Sequence, residues 1–542
     1  MLNPAMGNPK SYLSLGFLIL CLSLSSIGQA QSDPVYLNRD YEWQFQKAQA
    51  KKSLDHHDAI KPYLHSDFTD DDSVRYRAGF PMRWSREEND DRVANSLAIY
   101  PLLRSSFMYD ASTESDWQSQ LGIGVGAGYA YKDLVSFRIN ASAHRVQYPL
   151  YLRTRTEQMG VVPEGEVWHR NHHGYHYVDI NGYLSFNAGK HFNFQVGHGK
   201  NFIGNGYRSM LLSDQAGNAT YGKITTSIWR LKYVILYSAY KDINQNESRK
   251  YSDFLTKYST THYLSWNLTK WLNVGFFESV VWRPSDTLVE RGFDVNYLNP
   301  VIFLRPVEFS TGSSDNSLLG MNLAVKPADK FQVYGQFIID EFIAENFFRD
   351  ISNIFKQEKD PEAGWWGNKY AWQLGVKTFD VFGVKGLGFQ TECNLVRPFS
   401  YSHSNPTQNY GHMNSSLAHP RGANLVESIS FVNYQKKNWF FEAYFQFMDQ
   451  GLSTDTINYG EDIYRSYADR ENEYGHFVGQ GVQTQTVNAG IRASYLIYPI
   501  NNLRLFSRVN YRWNYHWGTP TQQSMQFEIG LSSRLFNRYY DI

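Results

Sequence analysis

The sequence predicts an all-β fold: a transmembrane, antiparallel, up-and-down β-barrel of about eighteen strands, preceded by a short helical plug or arm. Three observations predict it. First, Leu121 to Tyr129 alternates apolar or aromatic residues with glycine. After a turn at Lys132 and Asp133, Val135, Phe137, Ile139, Ala141 and Ala143 alternate with Ser136, Arg138, Asn140, Ser142 and His144. A period of two gives a strand one dry face and one wet face, and a long hairpin that is greasy outside and polar inside suits a barrel wall in lipid. Second, short and long connectors take turns along the chain, as in barrels with tight periplasmic turns and large external loops. Third, beyond the N-terminus no run of about 18 apolar residues could form a spanning helix; mean hydropathy is −0.49.

Taken in order, residues 1–30 read as a secretory signal: Lys10, an apolar stretch from Leu13 to Leu24, and small residues at Gly28-Gln29-Ala30. Cys21 lies inside the apolar stretch between Leu20 and Leu22, a poor context for lipidation. With the signal removed, Cys393 is the one cysteine left, so neither a disulfide framework nor a cysteine metal cluster is expected. Residues 31–95 read as a periplasmic extension or plug, with a short helix over Tyr41–Lys52 that spaces Tyr41, Phe45 and Ala48 on one side. The barrel occupies 96–542. Its expected strands are 98–109, 119–131, 133–146, 176–188, 191–200, 219–229, 230–241, 260–269, 271–282, 316–327, 330–341, 369–379, 385–398, 424–435, 438–450, 484–497, 500–514 and 524–537. Long loops at 147–175, 201–218, 242–259, 283–315, 342–368, 399–423 and 451–483 alternate with tight turns such as Gly189-Lys190 and Lys436-Lys437. Both termini then fall on the periplasmic side, and the aromatic-rich last strand fits an outer-membrane assembly signal.

Composition narrows the function. With 52 basic and 52 acidic side chains the chain carries no global excess for nucleic acid. Aromatics make up 16% of the residues, an excess that suits interfacial girdles and also carbohydrate-binding surfaces.

Four segments carry a family signal: Gly197-His198-Gly199-Lys200-Asn201-Phe202-Ile203-Gly204-Asn205-Gly206-Tyr207-Arg208-Ser209; Tyr297 to Phe309 leading toward Asp315-Asn316; Ala418-His419-Pro420-Arg421-Gly422-Ala423-Asn424; and the ending Phe536-Asn537-Arg538-Tyr539-Tyr540-Asp541. Together they resemble the capsule-assembly Wzi superfamily of outer-membrane β-barrels, closest to the gliding-motility protein RemB group of the Bacteroidetes. The resemblance runs over nearly all of the mature chain. It implies an eighteen-stranded outer-membrane barrel closed by loops and an N-terminal helical plug, with a surface role in holding exopolysaccharide or in adhesion during gliding. Ile542 stands where such a chain would more usually end on an aromatic residue.

Candidate sites follow, each beside a plainer reading. His169, His172 and His173, with His176 near, form the densest imidazole cluster, suited to zinc or copper; without cysteine or carboxylate it reads better as a hydrated loop. The stretch His198–Gly206 has its lysine before the glycines and no helix after them, so it is not a phosphate loop; its glycines suit a loop folding back into the lumen. Arg305, Glu308, Asp315 and Asn316, and also His419 and Arg421, could meet sugar hydroxyls or form a closed internal network. Trp365 and Trp366 offer flat indole faces for pyranose stacking or anchors at the membrane interface.

No motif marks an enzyme and no cofactor is expected. The expected partners are outer-membrane lipid, surface polysaccharide and proteins of a motility or secretion machinery. The expectation is a non-enzymatic outer-membrane barrel that binds or anchors surface polysaccharide, or acts in adhesion linked to gliding. A diffusion channel or transporter and a scaffold subunit of a secretion or motility complex are the alternatives.

Overall fold

The structure, a computed structural model, describes residues 34–64, 67, 96–112, 116–131, 134–172, 174–243, 251–284, 292, 294–301, 315–341, 343–354, 360–498 and 501–542. The expected signal, most of 65–95, and His173, Arg305 and Glu308 lie outside the described residues.

Eighteen antiparallel strands close into one barrel. They are β1 (Ser96–Asp110), β2 (Asp116–Tyr131), β3 (Val135–Val146), β4 (Gly174–Ala188), β5 (Phe192–Gly199), β6 (Ala219–Ile228), β7 (Leu231–Asp242), β8 (Leu255–Thr269) and β9 (Leu272–Trp282). The second half is β10 (Asn316–Ala328), β11 (Phe331–Ile339), β12 (Tyr370–Phe379), β13 (Leu387–Val396), β14 (Leu425–Lys436), β15 (Trp439–Leu452), β16 (Val482–Tyr498), β17 (Leu503–His516) and β18 (Gln522–Ser533). Each strand pairs with its chain neighbours, and β1 closes on β18 from Arg104↔Ser532 to Asp110↔Gln526. Each strand read from the sequence has its counterpart here. At the C-terminus the wall stops at Ser533 rather than at residue 537, because the final residues turn inward.

The two-residue period sorts the faces as physics requires. Ile123, Ile139, Ile180, Ile491 and Ile529 stand exposed on the outside, while Ser136, Asn140, Asn181 and Asn488 are buried within. Aromatic side chains gather at both rims: Trp229, Trp271, Phe382 and Trp439 at the short-turn end, and Trp117, Tyr511 and Trp517 at the long-loop end. Two such belts bracket the hydrocarbon layer of a membrane barrel. The glycines that alternate along β2 serve the lumen side. A Cβ on Gly126 would overlap the Tyr100 ring and one on Gly122 would overlap His144. Their absence lets Tyr100 lie across the strand and donate to Asn140 Oδ1 at 2.8 Å.

One stretch of the outer wall is covered by the chain itself. Tyr297, in a short turn over Val295–Leu298, packs 4.5 Å from the Trp282 ring. The hydroxyls of Tyr233 and Tyr237 donate to the carbonyls of Pro300 and Leu298. Val295, Leu298 and Val301 then present the apolar surface that the wall beneath has given up.

The lumen is filled. Helix α1 (Arg39–Gln49) carries Asp40 and Glu42 in its first turn and Lys47 in its last, a distribution that complements the helix dipole. It is buried on nearly all sides because it sits inside the barrel at the short-turn end. There Trp43 packs 4.6 Å from Phe379, and Lys47 meets Asp380 at 2.6 Å. Farther along, Ile60 and Lys61 pair with Ile203 and Phe202 of an inward-folded loop, 200–218. The C-terminal residues 534–542 enter the same space beside α1: Arg39 N–H donates to Asn537 Oδ1 at 2.8 Å, and Asn38 Nδ2 to the Phe536 carbonyl at 3.2 Å. Helices α2 (Leu150–Met159) and α3 (Ala344–Ile354) belong to the long-loop end.

Candidate functional site

The middle of the lumen is organised around Glu427, a fully buried carboxylate on the inward face of β14. Arg208, from the inward loop, donates to it from Nη2 at 2.9 Å and from Nε at 3.1 Å, and its Nη2 also reaches Asp541 Oδ2 at 2.9 Å. Gln446 and Asn394 donate to the same carboxylate at 2.6 and 3.0 Å. His419 completes the shell. Its Nδ1 accepts from Arg421 N–H at 3.3 Å, so the ring proton sits on Nε2 and is donated to Glu427 at 3.0 Å. Burial pulls His419 below its usual range although Glu427 opposes this, and the ring is neutral. Burial works against the Arg208 charge, but Asp541 and Glu427 more than restore it.

Three of the four segments singled out in the sequence meet here: Arg208 from the first, His419 from the third and Asp541 from the last. Glycine at Gly206 suits this depth, since a Cβ there would fall 2.6 Å from the side-chain ends of both Gln373 and Glu392. The close approach lets the N–H groups of Tyr207 and Arg208 donate to the two oxygens of Glu392 at 2.8 and 2.9 Å. Every oxygen of Glu392 and Glu427 is thus engaged by several donors. Buried polar networks so saturated make the interior rigid.

A second knot ties the tail to the wall. Arg104 Nη1 reaches Glu164 at 2.9 Å, and Arg104 Nη2 donates to the Tyr540 hydroxyl at 2.6 Å. Tyr539 and Asn537 both donate to Asp214 of the inward loop. Burial alone would raise Glu164, but the Arg104 and Arg538 guanidiniums outweigh it and hold the carboxyl at about 2. At the short-turn end Asp40 accepts from Arg492, Arg39 pairs with Glu442 at 3.2 Å, and Arg534 lies 3.4 Å from Asp40. Between these knots a cavity of about 130 Å³ remains beside Arg39, Arg508, Glu528 and Tyr540. That holds a few waters and falls well short of the ~300–1,000 Å³ of a small-molecule pocket.

The long-loop end is roofed by segments 397–424 and 453–481, which rest on the inward loop. Tyr401 and Tyr410 donate their hydroxyls to the carbonyls of Met210 and Leu211 at 2.9 and 2.8 Å. Trp365 and Trp366 lie side by side in this roof, half-buried, with ring centroids 5.8 Å apart. Trp366 is clamped: its indole N–H donates to Glu473 at 2.8 Å, the Arg470 guanidinium lies 3.9 Å from its ring and Tyr467 packs at 4.7 Å. Trp365 folds over Gly367. The pair therefore stitches two loops together and leaves part of its surface open.

His419 is buried with both ring nitrogens engaged, so it supports the roof from below and faces no solvent. Arg421, next to it, is half-buried and donates from Nε to Gln450 at 3.1 Å. His169 pairs with His176 across a small hairpin. Among the described residues no three metal-binding side chains converge. Sequence reading missed Glu392, Glu427 and Arg104. Each is one lumen-facing polar residue in an alternating strand, indistinguishable there from the other lumen-facing positions.

No family model matches the chain, and no curated protein matches its sequence. Among solved structures it is similar to Wzi of Escherichia coli, described as an outer-membrane protein involved in group 1 capsule assembly and a carbohydrate-binding β-barrel. The TM-score is 0.53 at 10% identity, over 92% of this chain and 99% of that one. A BenF-like porin from Pseudomonas fluorescens aligns at TM-score 0.44 and 10% identity, over 81% and 99% of the two chains. OprD of Pseudomonas aeruginosa aligns at 0.39 and 12%, over 80% and 94%. The fold is that of a Wzi-like β-barrel of eighteen strands.

Proposed function

We propose that this chain is a closed, non-enzymatic barrel of the outer membrane that holds polysaccharide at the cell surface with its long loops, or acts there in adhesion linked to gliding. In this reading the short turns and both termini face the periplasm and the seven long connectors face outward. The observation that carries it is the filled lumen. Helix α1, the tail 534–542 and the loop 200–218 occupy the space that a diffusion channel would keep open. A barrel of this strand number is wide enough to conduct unless its interior is occupied.

What remains available for function is the roof, with its aromatic and polar side chains. Binding there is multivalent and weak per contact, built from ring stacking and hydrogen bonds. The partners are lipid, surface polysaccharide and, in a gliding cell, motility proteins.

Two measurements test the reading. Purified protein in planar bilayers should give no steady conductance; large regular openings would replace this function with that of a channel. In cells, Trp365→Ala with Trp366→Ala should lower polysaccharide retention severalfold at normal surface level. Unchanged retention would remove the two indoles from the contact surface.

A further inference from the structure

Helix α2 places Tyr151 and Arg155 one turn apart, on the same face. The Arg512 guanidinium, from the long-loop half of β17, lies 4.3 Å from the Tyr151 ring. Arg155 Nη2 donates to the carbonyl of Pro420 at 3.0 Å, and the next residue is Arg421. Two contacts through α2 and the roof thus gather three guanidiniums at one side of the barrel mouth.

Their partners set them apart. Arg155 has the Pro420 carbonyl, Arg421 has Gln450 Oε1 at 3.1 Å and Arg512 has Asn488 Oδ1 at 3.2 Å. All three acceptors are neutral, and among the described residues none of the three guanidiniums forms an ion pair. Arg512 is 8% exposed, and its Nε has no hydrogen-bond partner. Burial, then the Arg421 and Arg512 guanidiniums, bring Arg155 down to about 9; burial, then Arg512, bring Arg421 down to about 10, although the Glu461 and Glu427 charges act the other way. Even so displaced, both stay charged at neutral pH. Three like charges in a half-buried mouth, with donors to spare, are stable only at a cost that an incoming anion removes.

We infer that Arg155, Arg421 and Arg512 form an anion site at the long-loop mouth, which takes a carboxylate or phosphate group borne on a saccharide. Guanidiniums match either group with paired N–H donors. The saccharide carrier rests on the surface-polysaccharide reading; the anion site does not.

The test uses the full chain in uncharged detergent, with short oligogalacturonate, inorganic phosphate and neutral dextran as probes. Calorimetric titration should show oligogalacturonate binding that weakens at least tenfold in R155Q/R421Q/R512Q and also in raised salt. Phosphate should raise the midpoint of heat-induced unfolding, and the variant should lose that rise. Dextran binding should not change. R155Q/R421Q, which alters only the two half-exposed arginines, gives the same readout should the triple variant fail to fold, with folding checked by heat-modifiable gel mobility. If oligogalacturonate fails to bind while the phosphate effect is present and lost in the variants, the site stands and the saccharide carrier falls. If the wild type responds to neither anion, or if folded variants respond as the wild type does, the site is overturned.

Discussion

The arginines of the plugged half of the lumen and those of its mouth are the same residue type, and they are treated in opposite ways. In the plug, three buried arginines are set against carboxylates: Arg492 on Asp40, Arg104 on Glu164, Arg208 between Glu427 and Asp541. In the mouth, Arg155, Arg421 and Arg512 donate to neutral oxygens. A buried charge with its partner in place is a strut, and removing one side leaves the other stranded. A buried charge whose partners are neutral is left uncompensated and can meet an anion that arrives later. One half of the molecule is thus finished by its own chain, and the other is left to be completed by a ligand.

That contrast breaks most sharply at Arg208. Arg208→Met removes the hub joining the inward loop, β14 and the tail, and leaves Asp541 without its cation. It should cost about 3–5 kcal/mol, read as a lower midpoint in the heat-modifiable mobility of the folded barrel. A loss under about 1 kcal/mol would mean that the plug is held by packing alone.

A smaller, pH-dependent effect is expected at Glu166, between plug and mouth. Glu166 and Asp179 both accept from Asn218 Nδ2, at 3.0 and 2.9 Å. Burial, then the Asp179 charge, pushes Glu166 from 4.5 up to about 8. The folded state therefore keeps a proton between about pH 4.5 and 8 that the unfolded chain has released. Stability should fall as pH rises through this window, by at most ~1.4 kcal/mol per unit. Glu166→Gln keeps the bond from Asn218 and should flatten that slope, which unfolding midpoints at pH 5, 7 and 9 would reveal. An unchanged slope would assign the pH dependence elsewhere.

The smallest effect belongs to the mouth. Arg421→Gln, breaking no ion pair, should move the unligated midpoint by no more than about 0.5 kcal/mol. A loss as large as that of Arg208→Met would erase the distinction between the two regions.

Much of this architecture was legible in the residues. The alternation from Leu121 to His144, the strand positions and the placing of long connectors all reflect local periodicity, because a strand in lipid must show one face to hydrocarbon whatever its neighbours are. The inward turn of the loop with Gly204 and Gly206 was also readable, since glycine permits a backbone approach that other residues block. The tail was not. Phe536 to Asp541 looks like the end of a wall strand, and only the internal partners Arg104, Asp214 and Arg208 turn it inward. Trp365 and Trp366 were visible as paired indoles, but their clamp on Glu473 and Arg470 comes from a loop about a hundred residues later.

Periodicity therefore settles which face of each strand meets lipid, since that choice depends on residues two apart. It cannot settle which charge meets which. Arg208 and Asp541 are separated by 333 positions, and Arg39 and Asn537 by 498. Only closure of the wall brings such groups within bonding distance in a dry interior, where pairing decides whether an arginine is a strut or a receptor.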